Sequence, residues 1–567
     1  MMNNSQNSGA TRPLQPDAVR ILPLGGLGEI GLNMMVVEAG QALLIIDCGL
    51  MFPETYMLGI DLVIPDITAI AARRHEIVGL VLTHGHEDHI GAIPFLIEAL
   101  GCPPIYGSPL TLGLLANKLE EHQLQSRVAC QSIKVREPVD IGPFEVEFFR
   151  AAHSIVDGCG LAIRTPAGLI VHTGDFKLDP TPVDNQPTDL GRLAAYGEQG
   201  VLLLLSDSTN VENTGQTLSE RTVGEAFNEL VPRCTGKILV ATFSSNIHRI
   251  QQVIDAAALA NRKVLISGRS MISNIAIARQ LGYLHVPDDI LIDLRQMRDL
   301  PAERVLVLTT GSQGEPRSSL SRIAMDDHKQ ISITPGDTVI LSSKFIPGNE
   351  RAITHVINHL YRRGAEVHYE TTSEIHVSGH ASQNELKTVL NLVKPQYFVP
   401  VHGEYRHLVK HAQLAHSMGW STDRALVLSN GTPLVLSRNG HHFEPRVESG
   451  RVFIDGKGVG DVGEMELRDR RHLANHGLVI VFLALNQETG EIVSGPEIMT
   501  RGFIPEDESQ ELLNEARELV CRMLAEHSLA AIADWEELRI EVRKSLRRLF
   551  NKTMDRRPLI LPIIMEL

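Results

Sequence analysis

The chain has 567 residues and a mass of 62.4 kDa, too long for one hydrophobic core, so several domains are expected. Its apolar content of 43% and charged content of 21% are those of a globular protein and exclude a mostly disordered chain. The net charge of −15 makes the protein as a whole repel polyanions, so any binding of nucleic acid requires a local basic surface.

Three features of the sequence bear on the cellular compartment: its apolar runs, its first segment and its cysteines. No apolar run approaches the roughly 18 residues needed to span a bilayer, and the polar first segment lacks the residue order of a signal peptide. The six cysteines have no CxxC spacing, which is typical of a chain in a reducing environment rather than of a disulfide scaffold. We therefore expect a cytoplasmic protein that does not enter the membrane.

The first half of the chain alternates strands, turns and helices. Residues 1–16 are polar and are predicted to form a disordered tail. From Val19 to about residue 215, short β-rich runs are separated by glycine-rich turns and by helical stretches at 94–100 and 109–123. Runs such as 43–46 and 201–205 are apolar throughout, which is typical of strands covered on both faces. The pattern predicts an α/β sandwich.

A second α/β block follows, and then a third. Residues 220–380 repeat the order strand then helix, which predicts a doubly wound parallel sheet. Beyond Arg451 come two helical stretches and a closing strand, PLILPIIMEL. One helical stripe predicts a core face; it consists of Trp535, Leu538, Val542, Leu546 and Leu549. The predicted divisions are a tail 1–16, a sandwich domain 17–218, an inserted domain 219–380, the rest of the sandwich with a linker 381–450, and a C-terminal domain 451–567.

The motif THGHEDH is the sharpest chemical signal in the sequence. It follows the apolar run 77–82, on a turn made tight by Gly85, and four of its side chains can converge: His84, His86, Asp88 and His89. Imidazole and carboxylate groups together suit Zn²⁺. Three isolated candidates also follow apolar runs, namely His153, Asp175 and His402. A solvated turn and packed core histidines are the ordinary alternatives, and the shared strand-end positions favour a metal site.

HxHxDH, followed by a lone histidine and then an aspartate at a strand end, resembles the metallo-β-lactamase fold. The resemblance implies one zinc ion on His84, His86 and His153. It implies a second on Asp88, His89 and His402, with Asp175 as the bridging ligand. Two such Zn²⁺ ions would hold a hydroxide nucleophile and polarise the scissile group, and Mn²⁺ stays open as a substitute.

The long gap between Asp175 and His402 holds the whole second block and resembles the β-CASP nucleases, whose marks match Asp207, His380 and His402. The motifs LPLGGLGEIGLNM, SDSTN, ATFSSNIHRIQQ, TGSQGEP, KFIPGNE, HVSGHAS and PVHGEYRHL are similar to those of the ribonuclease J family. The fold class implied is α/β: a metallo-β-lactamase αββα sandwich with an inserted β-CASP α/β domain and a small C-terminal α/β domain.

The same resemblance implies an activity, namely metal-dependent hydrolysis of single-stranded RNA in mRNA decay and rRNA maturation. A 5′-to-3′ exonuclease that prefers 5′-monophosphate ends is implied, with endonuclease cleavage open as a second mode. Asp88, Asp207 and His380 would serve catalysis, with His380 as proton donor oriented by Asp207. The RNA would contact His376, Ser378, Gly379, Ser245 and Asn246, the first three at its 5′-phosphate. A homodimer or homotetramer built through the C-terminal domain, with other RNA-degradation proteins as partners, is also implied.

Two other functions remain open at this stage. One is a small-molecule metallohydrolase such as a thioesterase or lactonase, and the long insertion with His376, Ser378 and His380 argues against it. The other is a catalytically idle RNA-binding scaffold, and the complete set of ligands argues against that. The glycines of GGLG resemble half of a dinucleotide fingerprint, with Asp47 near the expected spacing, but the helix that the fingerprint requires is missing. We interpret these glycines as a turn beside the metal site.

Overall fold

A computed structural model describes residues 13–346, 348–370, 375–486, 489, 491–504, 510–526 and 535–567. The chain divides into two compact units, one formed by Met1–Phe52 with Leu62–Val452 and the other by Pro53–Asp61 with Phe453–Leu567. Of the predicted tail, residues 1–12 lie outside the described part. Within the described part, no helix combines the length and the apolar character needed to cross a membrane.

The first unit begins with a strand-rich segment. Its strands are β1 (Ala18–Gly25), β2 (Leu27–Gly28), β3 (Met34–Ala39), β4 (Ala42–Ile46), β5 (Leu62–Pro65), β6 (Ile77–Val81), β7 (Ile105–Gly107), β8 (Cys130–Ser132), β9 (Pro138–Ile141), β10 (Phe144–Arg150), β11 (Cys159–Thr165), β12 (Gly168–His172) and β13 (Val201–Asp207). Its helices are α1 (Thr68–Ala71), α2 (Glu87–Ile90), α3 (Ile93–Leu96), α4 (Pro109–Glu121) and α5 (Leu190–Gln199). Helix α4 begins at a proline. Proline has no backbone N–H, and an N–H in the first helical turn would have no partner within the helix.

The next segment forms the sheet that was predicted for the insertion. Its helices are α6 (Arg221–Leu230), α7 (Ile247–Leu259), α8 (Arg269–Gln280), α9 (Leu294–Arg298), α10 (Ser319–Ala324) and α11 (Glu350–Arg362). Its strands are β14 (Ile238–Ala241), β15 (Lys263–Ser267), β16 (Leu291–Ile292), β17 (Val305–Thr309), β18 (Thr338–Leu341) and β19 (Glu366–His368). The sheet order is β16-β15-β17-β14-β18-β19, with every pair parallel. The predicted parallel sheet is therefore confirmed.

After the insertion the chain returns to the sandwich. This part contains α12 (Gln383–Val393), β20 (Tyr397–Val401), β21 (Gly403–Glu404), α13 (Tyr405–Ser417), β22 (Leu434–Ser437) and β23 (Gly440–Phe443). One sheet has the order β23-β22-β1-β3-β4-β6-β7-β8 and the other β20-β13-β12-β11-β10-β9. A core of buried residues from both sheets lies between them, including Val37, Leu44, Phe148, Leu203 and Val399. The αββα sandwich predicted from the sequence is confirmed.

The register of the parallel strands determines where functional side chains can meet. Strand β12 pairs with β13, and β13 pairs with β20 so that Asp207 lies opposite Val401. In the other sheet, β4 pairs in parallel with β6, and Ile46 lies opposite Val81. The carboxyl ends of parallel strands lie at one edge of a sheet, which is where ligands bind in α/β folds. The segments that leave β6, β12 and β20 carry six of the predicted metal ligands, and the seventh, His153, follows β10.

The second unit is a small α/β domain. Strand β24 (Arg451–Asp455) crosses the division between the units, and the elements after it are β25 (Gly458–Val459), α14 (Glu464–His476), β26 (Leu478–Leu485), β27 (Ile492–Arg501), α15 (Gln510–Glu526), α16 (Trp535–Met554) and β28 (Leu559–Glu566). The sheet order is β27-β26-β28, and β28 is the closing strand that the sequence predicts. The predicted stripe lies in the core through Leu538, Val542 and Leu546, and Leu549 packs against it. The side chain of Trp535 lies outside the described residues.

Candidate metal centre and phosphate loop

The strand ends bring the seven predicted metal ligands into two adjoining groups. Within each group, the donor atoms all lie within 4.8 Å of one another. The first group is His84, His86 and His153, and the second is Asp88, His89, Asp175 and His402. A third group of the same kind shares two of these residues and consists of Asp175, Asp207, His380 and His402. The predicted catalytic residues therefore adjoin the predicted ligands.

One carboxylate oxygen faces both metal-ligand groups. Oδ2 of Asp175 lies 3.7 Å from Nε2 of His84 and 3.7 Å from Nε2 of His153, both in the first group. The same oxygen lies 3.4 Å from Nε2 of His89 and 3.4 Å from Nε2 of His402, both in the second. A single oxygen between four imidazole nitrogens has the position required of a ligand shared by two cations.

The turn after β6 runs close to helix α4 at Gly85, so a side chain there would displace Leu114. A Cβ atom at Gly85 would lie 2.7 Å from Cδ1 of Leu114, closer than real Cβ contacts allow. The two imidazoles on either side of this glycine converge, since Nε2 of His84 and Nδ1 of His86 are 3.0 Å apart. The tight turn inferred from the sequence thus directs both rings to one point.

Asp47 orients His89 in the second group. Its Oδ2 accepts hydrogen bonds of 2.8 Å from Nδ1 of His89 and from Oγ1 of Thr83, and its Oδ1 accepts one of 2.8 Å from the Thr83 N–H. With Nδ1 occupied in this way, Nε2 of His89 is the nitrogen left to bind a metal. Asp47 lies just after β4 with φ of 58°, a strained region for this residue type. The sequence analysis missed this role, although an acidic residue at a strand end was visible.

Thr209 orients His402 by a similar arrangement. Its hydroxyl donates to Oδ1 of Asp207 at 2.8 Å, because an ionised carboxylate only accepts. Oγ1 of Thr209 also lies 2.6 Å from Nδ1 of His402 and accepts the hydrogen of that nitrogen. This contact leaves Nε2 of His402 as the nitrogen that can bind a metal. Thr209 belongs to the SDSTN motif, but nothing in the sequence linked it to a histidine 193 residues away.

The predicted phosphate loop, residues 375–380, lies against the first metal-ligand group. Nδ1 of His153 donates to the carbonyl oxygen of Gly379 at 2.8 Å, and a Cβ at Gly379 would lie 2.7 Å from Cε1 of that ring. Ser378 Oγ accepts a hydrogen bond of 3.2 Å from the His380 N–H. Nδ1 of His376 is buried and has no hydrogen-bond partner among the described residues. The loop therefore contacts a metal ligand and retains polar atoms for a further group.

His380 and Asp207 form the hydrogen-bonded pair that the sequence analysis predicts. Nδ1 of His380 lies 2.7 Å from Oδ2 of Asp207. Burial lowers the pKa of His380, but the negative charge of Asp207 and its hydrogen bond outweigh burial, so the pKa is raised above its usual value. The protonated form of the ring is therefore more favourable than that of a free imidazole.

Ser245 and Asn246 do not belong to the three donor groups. Asn246 is buried at the start of α7, and its Oδ1 accepts a hydrogen bond of 3.0 Å from the N–H of Arg249. This contact is a helix N-cap, which satisfies an N–H that has no partner within the helix. A role for these two residues in RNA binding remains a prediction.

The pKa values of the histidines shift in opposite directions in the two metal-ligand groups. Burial lowers the pKa of His84 and of His153 well below the usual value, and it lowers that of His86 to about 4. Burial also acts on His89, but the charges of Asp175 and other carboxylates outweigh it and raise its pKa to about 10. Nearby imidazoles hold the Asp175 pKa well below its usual range despite burial.

The donor set fits a pair of divalent metal ions. Neutral imidazoles and ionised carboxylates are the forms that ligate a metal, and nitrogen with oxygen donors suits Zn²⁺. The first group offers three imidazoles, and the second offers both residue types around the shared oxygen of Asp175. The residues present are therefore suitable for the metal that the sequence predicts.

Four family models match the chain. Residues 27–199 match the metallo-beta-lactamase superfamily and residues 235–360 match the beta-CASP domain of ribonuclease J. Residues 364–424 match the RNA specificity domain of Zn-dependent metallo-hydrolases, and residues 465–567 match the ribonuclease J C-terminal domain. These matches confirm the predicted fold class, a metallo-β-lactamase domain with an inserted β-CASP domain and a C-terminal domain.

Curated relatives align over almost the whole chain. Ribonuclease J of Thermus thermophilus is 44% identical over 556 residues, covering 97% of this chain and 96% of its own. Ribonuclease J2 of Bacillus subtilis is 40% identical over 548 residues, covering 97% and 98%. A crystal structure of a protein of unknown function from Enterococcus faecalis aligns with a TM-score of 0.52 at 15% identity, covering 74% of this chain and all of its own. This last similarity concerns the fold alone.

The contact between Gly379 and His153 yields a prediction about metal affinity. In Gly379→Ala, the new methyl group would overlap the His153 ring, so the ring or the loop has to move. We expect the affinity for Zn²⁺ to fall by about 10–100-fold, as for other groups that orient a metal ligand. Calorimetric titration of the metal-free protein with Zn²⁺ measures it. Gly450→Ala is the control, because a Cβ there meets nothing within 4 Å. Unchanged affinity in Gly379→Ala would contradict the coupling.

Proposed function

The chain belongs to the ribonuclease J family and is a metal-dependent ribonuclease, and on this premise we propose that it is a dizinc enzyme that degrades single-stranded RNA from the 5′ end. The preferred substrate carries a 5′-monophosphate, and endonuclease cleavage is a second mode. The cellular roles that we propose are mRNA decay and rRNA maturation.

The observation that carries the dizinc proposal is the position of Asp175. Its Oδ2 lies within 3.7 Å of two imidazole nitrogens in each metal-ligand group, which supports one metal ion in each group and a shared carboxylate. When bound, two such cations stabilise charge on the scissile phosphate and lower the pKa of a water molecule. Zinc is proposed because the donors are nitrogen and oxygen, and Mn²⁺ is the substitute to test.

The residues of the chain itself supply orientation and a proton. Asp88, His89 and His402 present donor atoms on one side of Asp175, and Asp47 and Thr209 keep the two histidines turned toward it. A leaving 3′-oxygen needs a proton, and the protonated His380 can supply it. Because Nδ1 of His380 is bound to Asp207, Nε2 is the atom that transfers the proton.

Recognition of the 5′ end is proposed for the phosphate loop. The hydroxyl of Ser378, the imidazole of His376 and the N–H of Gly379 are donors that suit a phosphate. Support comes from the contact between this loop and His153, which keeps a bound end beside the metal ligands. Ser245 and Asn246 are proposed to contact the RNA from the start of α7.

A reducing cytoplasm is the proposed location. All six cysteines are free thiols, including Cys48 and Cys159, which are buried. Burial raises the pKa of Cys159 to about 12, so this thiol stays protonated and unreactive. Such cysteines behave as small apolar residues rather than as disulfide partners. Other RNA-degradation proteins are proposed as partners in that compartment.

Self-association is proposed through the C-terminal sheet. On β28, Leu561, Ile563 and Met565 point away from the core, and each is at least 40% exposed. The neighbouring Phe482 of β26 lies opposite Ile563 and is only half-buried. The row continues to Glu497 of β27, so an apolar centre ends in a charged rim. A second copy fits such a face because the same apolar row serves both subunits, giving a homodimer or a homotetramer.

Membership of a ribonuclease family favours RNA over the thioester or lactone substrates of the first alternative. An idle RNA-binding scaffold would lack at least one metal donor, and both groups contain all the donors predicted for them. Cleavage of RNA by the purified protein is the direct test between an active and an idle subunit.

Metal-ligand variants test the proposed chemistry. We expect Asp88→Ala and His89→Ala each to abolish cleavage of a 5′-monophosphorylated oligonucleotide while the protein stays folded by circular dichroism. Glu87→Ala is the matched control, since this neighbouring carboxylate binds Lys118 and lies outside the donor groups. The product ladder should show mononucleotides from 5′-monophosphate RNA and far fewer from 5′-triphosphate RNA. Normal cleavage by either ligand variant would refute the mechanism.

His380→Ala separates the proton donor from the metal ligands. Loss of a general acid lowers turnover by about 10²–10⁴-fold, whereas zinc content, measured by elemental analysis, should stay near that of the unmodified protein. His75→Ala is the control, because that histidine is exposed at the surface. Loss of zinc from His380→Ala would show that His380 is a ligand and that the assignment is wrong.

A charged substitution on β28 tests the proposed self-association through the C-terminal sheet. Ile563→Lys places a charge in the middle of the apolar row, and we expect the oligomer to dissociate in light scattering coupled to size exclusion. Leu259→Lys is the control, since Leu259 is 72% exposed on α7, outside the C-terminal domain. A monomeric unmodified protein, or an oligomer that survives Ile563→Lys, would contradict the proposal.

A further inference from the structure

A fully buried arginine lies at the base of the phosphate loop. Arg249 is in α7 of the inserted domain and has no solvent exposure. A buried guanidinium is costly unless all of its N–H groups are paired and its charge is balanced. The partners of Arg249 therefore indicate which part of the structure this side chain stabilises.

Arg249 joins an acidic residue to the loop. Its Nε and Nη2 donate to Oε1 of Glu220 at 2.8 and 2.5 Å. Its Nη1 donates to the carbonyl oxygen of Ile375 at 3.1 Å and to the carbonyl oxygen of Ser342 at 3.0 Å. Nη1 also donates to Oγ of Ser342 at 2.5 Å, and that hydroxyl donates to the Ile375 carbonyl at 2.5 Å. One carbonyl group thus accepts two hydrogen bonds.

That carbonyl is the entry to the phosphate loop. Ile375 directly precedes His376, and the plane of the peptide bond between them sets the direction in which the loop leaves. The other end of the loop has separate anchors, because the His380 carbonyl accepts hydrogen bonds from Asn210 and Thr217. Within the described part of the chain, Arg249 and Ser342 are the hydrogen-bond donors to the Ile375 carbonyl.

Glu220 connects Arg249 to the segment that carries the predicted metal ligand Asp175. Its N–H donates to Oδ2 of Asp179 at 2.9 Å, and Asp179 lies four residues after the shared ligand Asp175. Buried Lys177 lies 3.5 Å from the Asp179 carboxylate. The charges of Arg249, Lys177, Glu220 and Asp179 cancel, so the network as a whole is neutral. The loop base and the Asp175 segment are thereby attached to the same cluster.

We propose that Arg249 is the positioning residue for 5′-end recognition: it fixes the entry of the phosphate loop through the Ile375 carbonyl, so that the donors of the loop face the terminal phosphate. The inference rests on the proposed function, since it presupposes that the loop binds a 5′-monophosphate. A guanidinium is required because its planar fork binds Glu220 with one edge and the two carbonyls with another, which an ammonium group cannot do.

The test compares two RNAs of identical sequence, one with a 5′-monophosphate and one with a 5′-hydroxyl. In Arg249→Lys, we expect KM for the 5′-monophosphate RNA to rise about tenfold, the scale of one lost charged hydrogen bond. KM for the 5′-hydroxyl RNA and kcat for both should change less than about threefold, so the preference for the monophosphate collapses. Ser342→Ala, which leaves the Glu220 pair intact, should shift the preference in the same direction by a smaller factor.

Arg262→Lys is the matched control. Arg262 is also buried in the inserted domain and donates to the carbonyl oxygens of Gly236 at 2.8 Å and Val305 at 3.3 Å, which lie outside the loop. We expect it to lower the thermal unfolding temperature as Arg249→Lys does, while the preference for the monophosphate is unchanged. A purely structural role for Arg249 predicts equal effects of the two variants on both RNAs.

The outcomes separate this inference from the proposed function. If the unmodified enzyme prefers the 5′-monophosphate and Arg249→Lys keeps that preference, the positioning role is refuted and the proposed function stands. If the unmodified enzyme has no preference, the proposed end recognition fails and the inference with it. If Arg249→Lys does not fold, Ser342→Ala decides, because a retained preference in that variant refutes the role of the anchor.

Discussion

The carboxylate of Asp175 is buried among four imidazole rings, and the surrounding structure follows from that arrangement. An ionised carboxylate in a protein interior costs several kcal/mol unless opposite charge is close to it. The rings of His84 and His153 are held neutral by burial, so they supply lone pairs rather than charge. The charges of His89 and His402, whose pKa values the neighbouring carboxylates raise, hold Asp175 ionised, and bound divalent cations would take over that role.

Orientation at this site depends on hydrogen bonds from outside the donor groups. Asp47, Thr209 and the Gly379 carbonyl each bind Nδ1 of a different histidine and leave its Nε2 toward Asp175. Two backbone positions, Asp47 and His402, lie in the left-handed region with φ of 58° and 53°. Such conformations cost about 1–3 kcal/mol each and persist where surrounding contacts over-determine them. The strand ends thus hold the histidines in a strained but fixed geometry.

A short loop, within the segment that matches the RNA specificity domain, reaches the predicted metal ligands. Residues 375–380 contact Arg249 at their start, His153 near their end and Asp207 through His380. The loop therefore joins the proposed phosphate donors to a predicted metal ligand, and each of its two ends has its own anchors. The proposed end recognition and the proposed proton transfer involve the same six residues, which offers a physical reason for the 5′-end preference proposed for this enzyme.

Much of the architecture follows from local patterns in the sequence. Apolar runs and the order strand then helix predict the parallel sheets, because a strand covered on both faces must be apolar throughout. The HxHxDH turn predicts four metal donors from local sequence alone, since neighbours in a tight turn lie close together. The closing strand and the buried stripe at Leu538, Val542 and Leu546 were also predicted from the sequence, because the spacing of apolar residues indicates which face of an element is buried.

The residues that orient the site were decided only by the tertiary structure. The sequence points to Asp47 only through a dinucleotide-like spacing, and Thr209 and Arg249 occur only as letters of the SDSTN and ATFSSNIHRIQQ motifs. Their partners are His89, His402 and Ile375, which lie 42, 193 and 126 residues away. A hydrogen bond across such distances depends on which strand ends meet, and sheet order is set by packing rather than by sequence spacing. The sequence by itself determined which groups can bind a metal, and the fold determined which nitrogen of each histidine faces it.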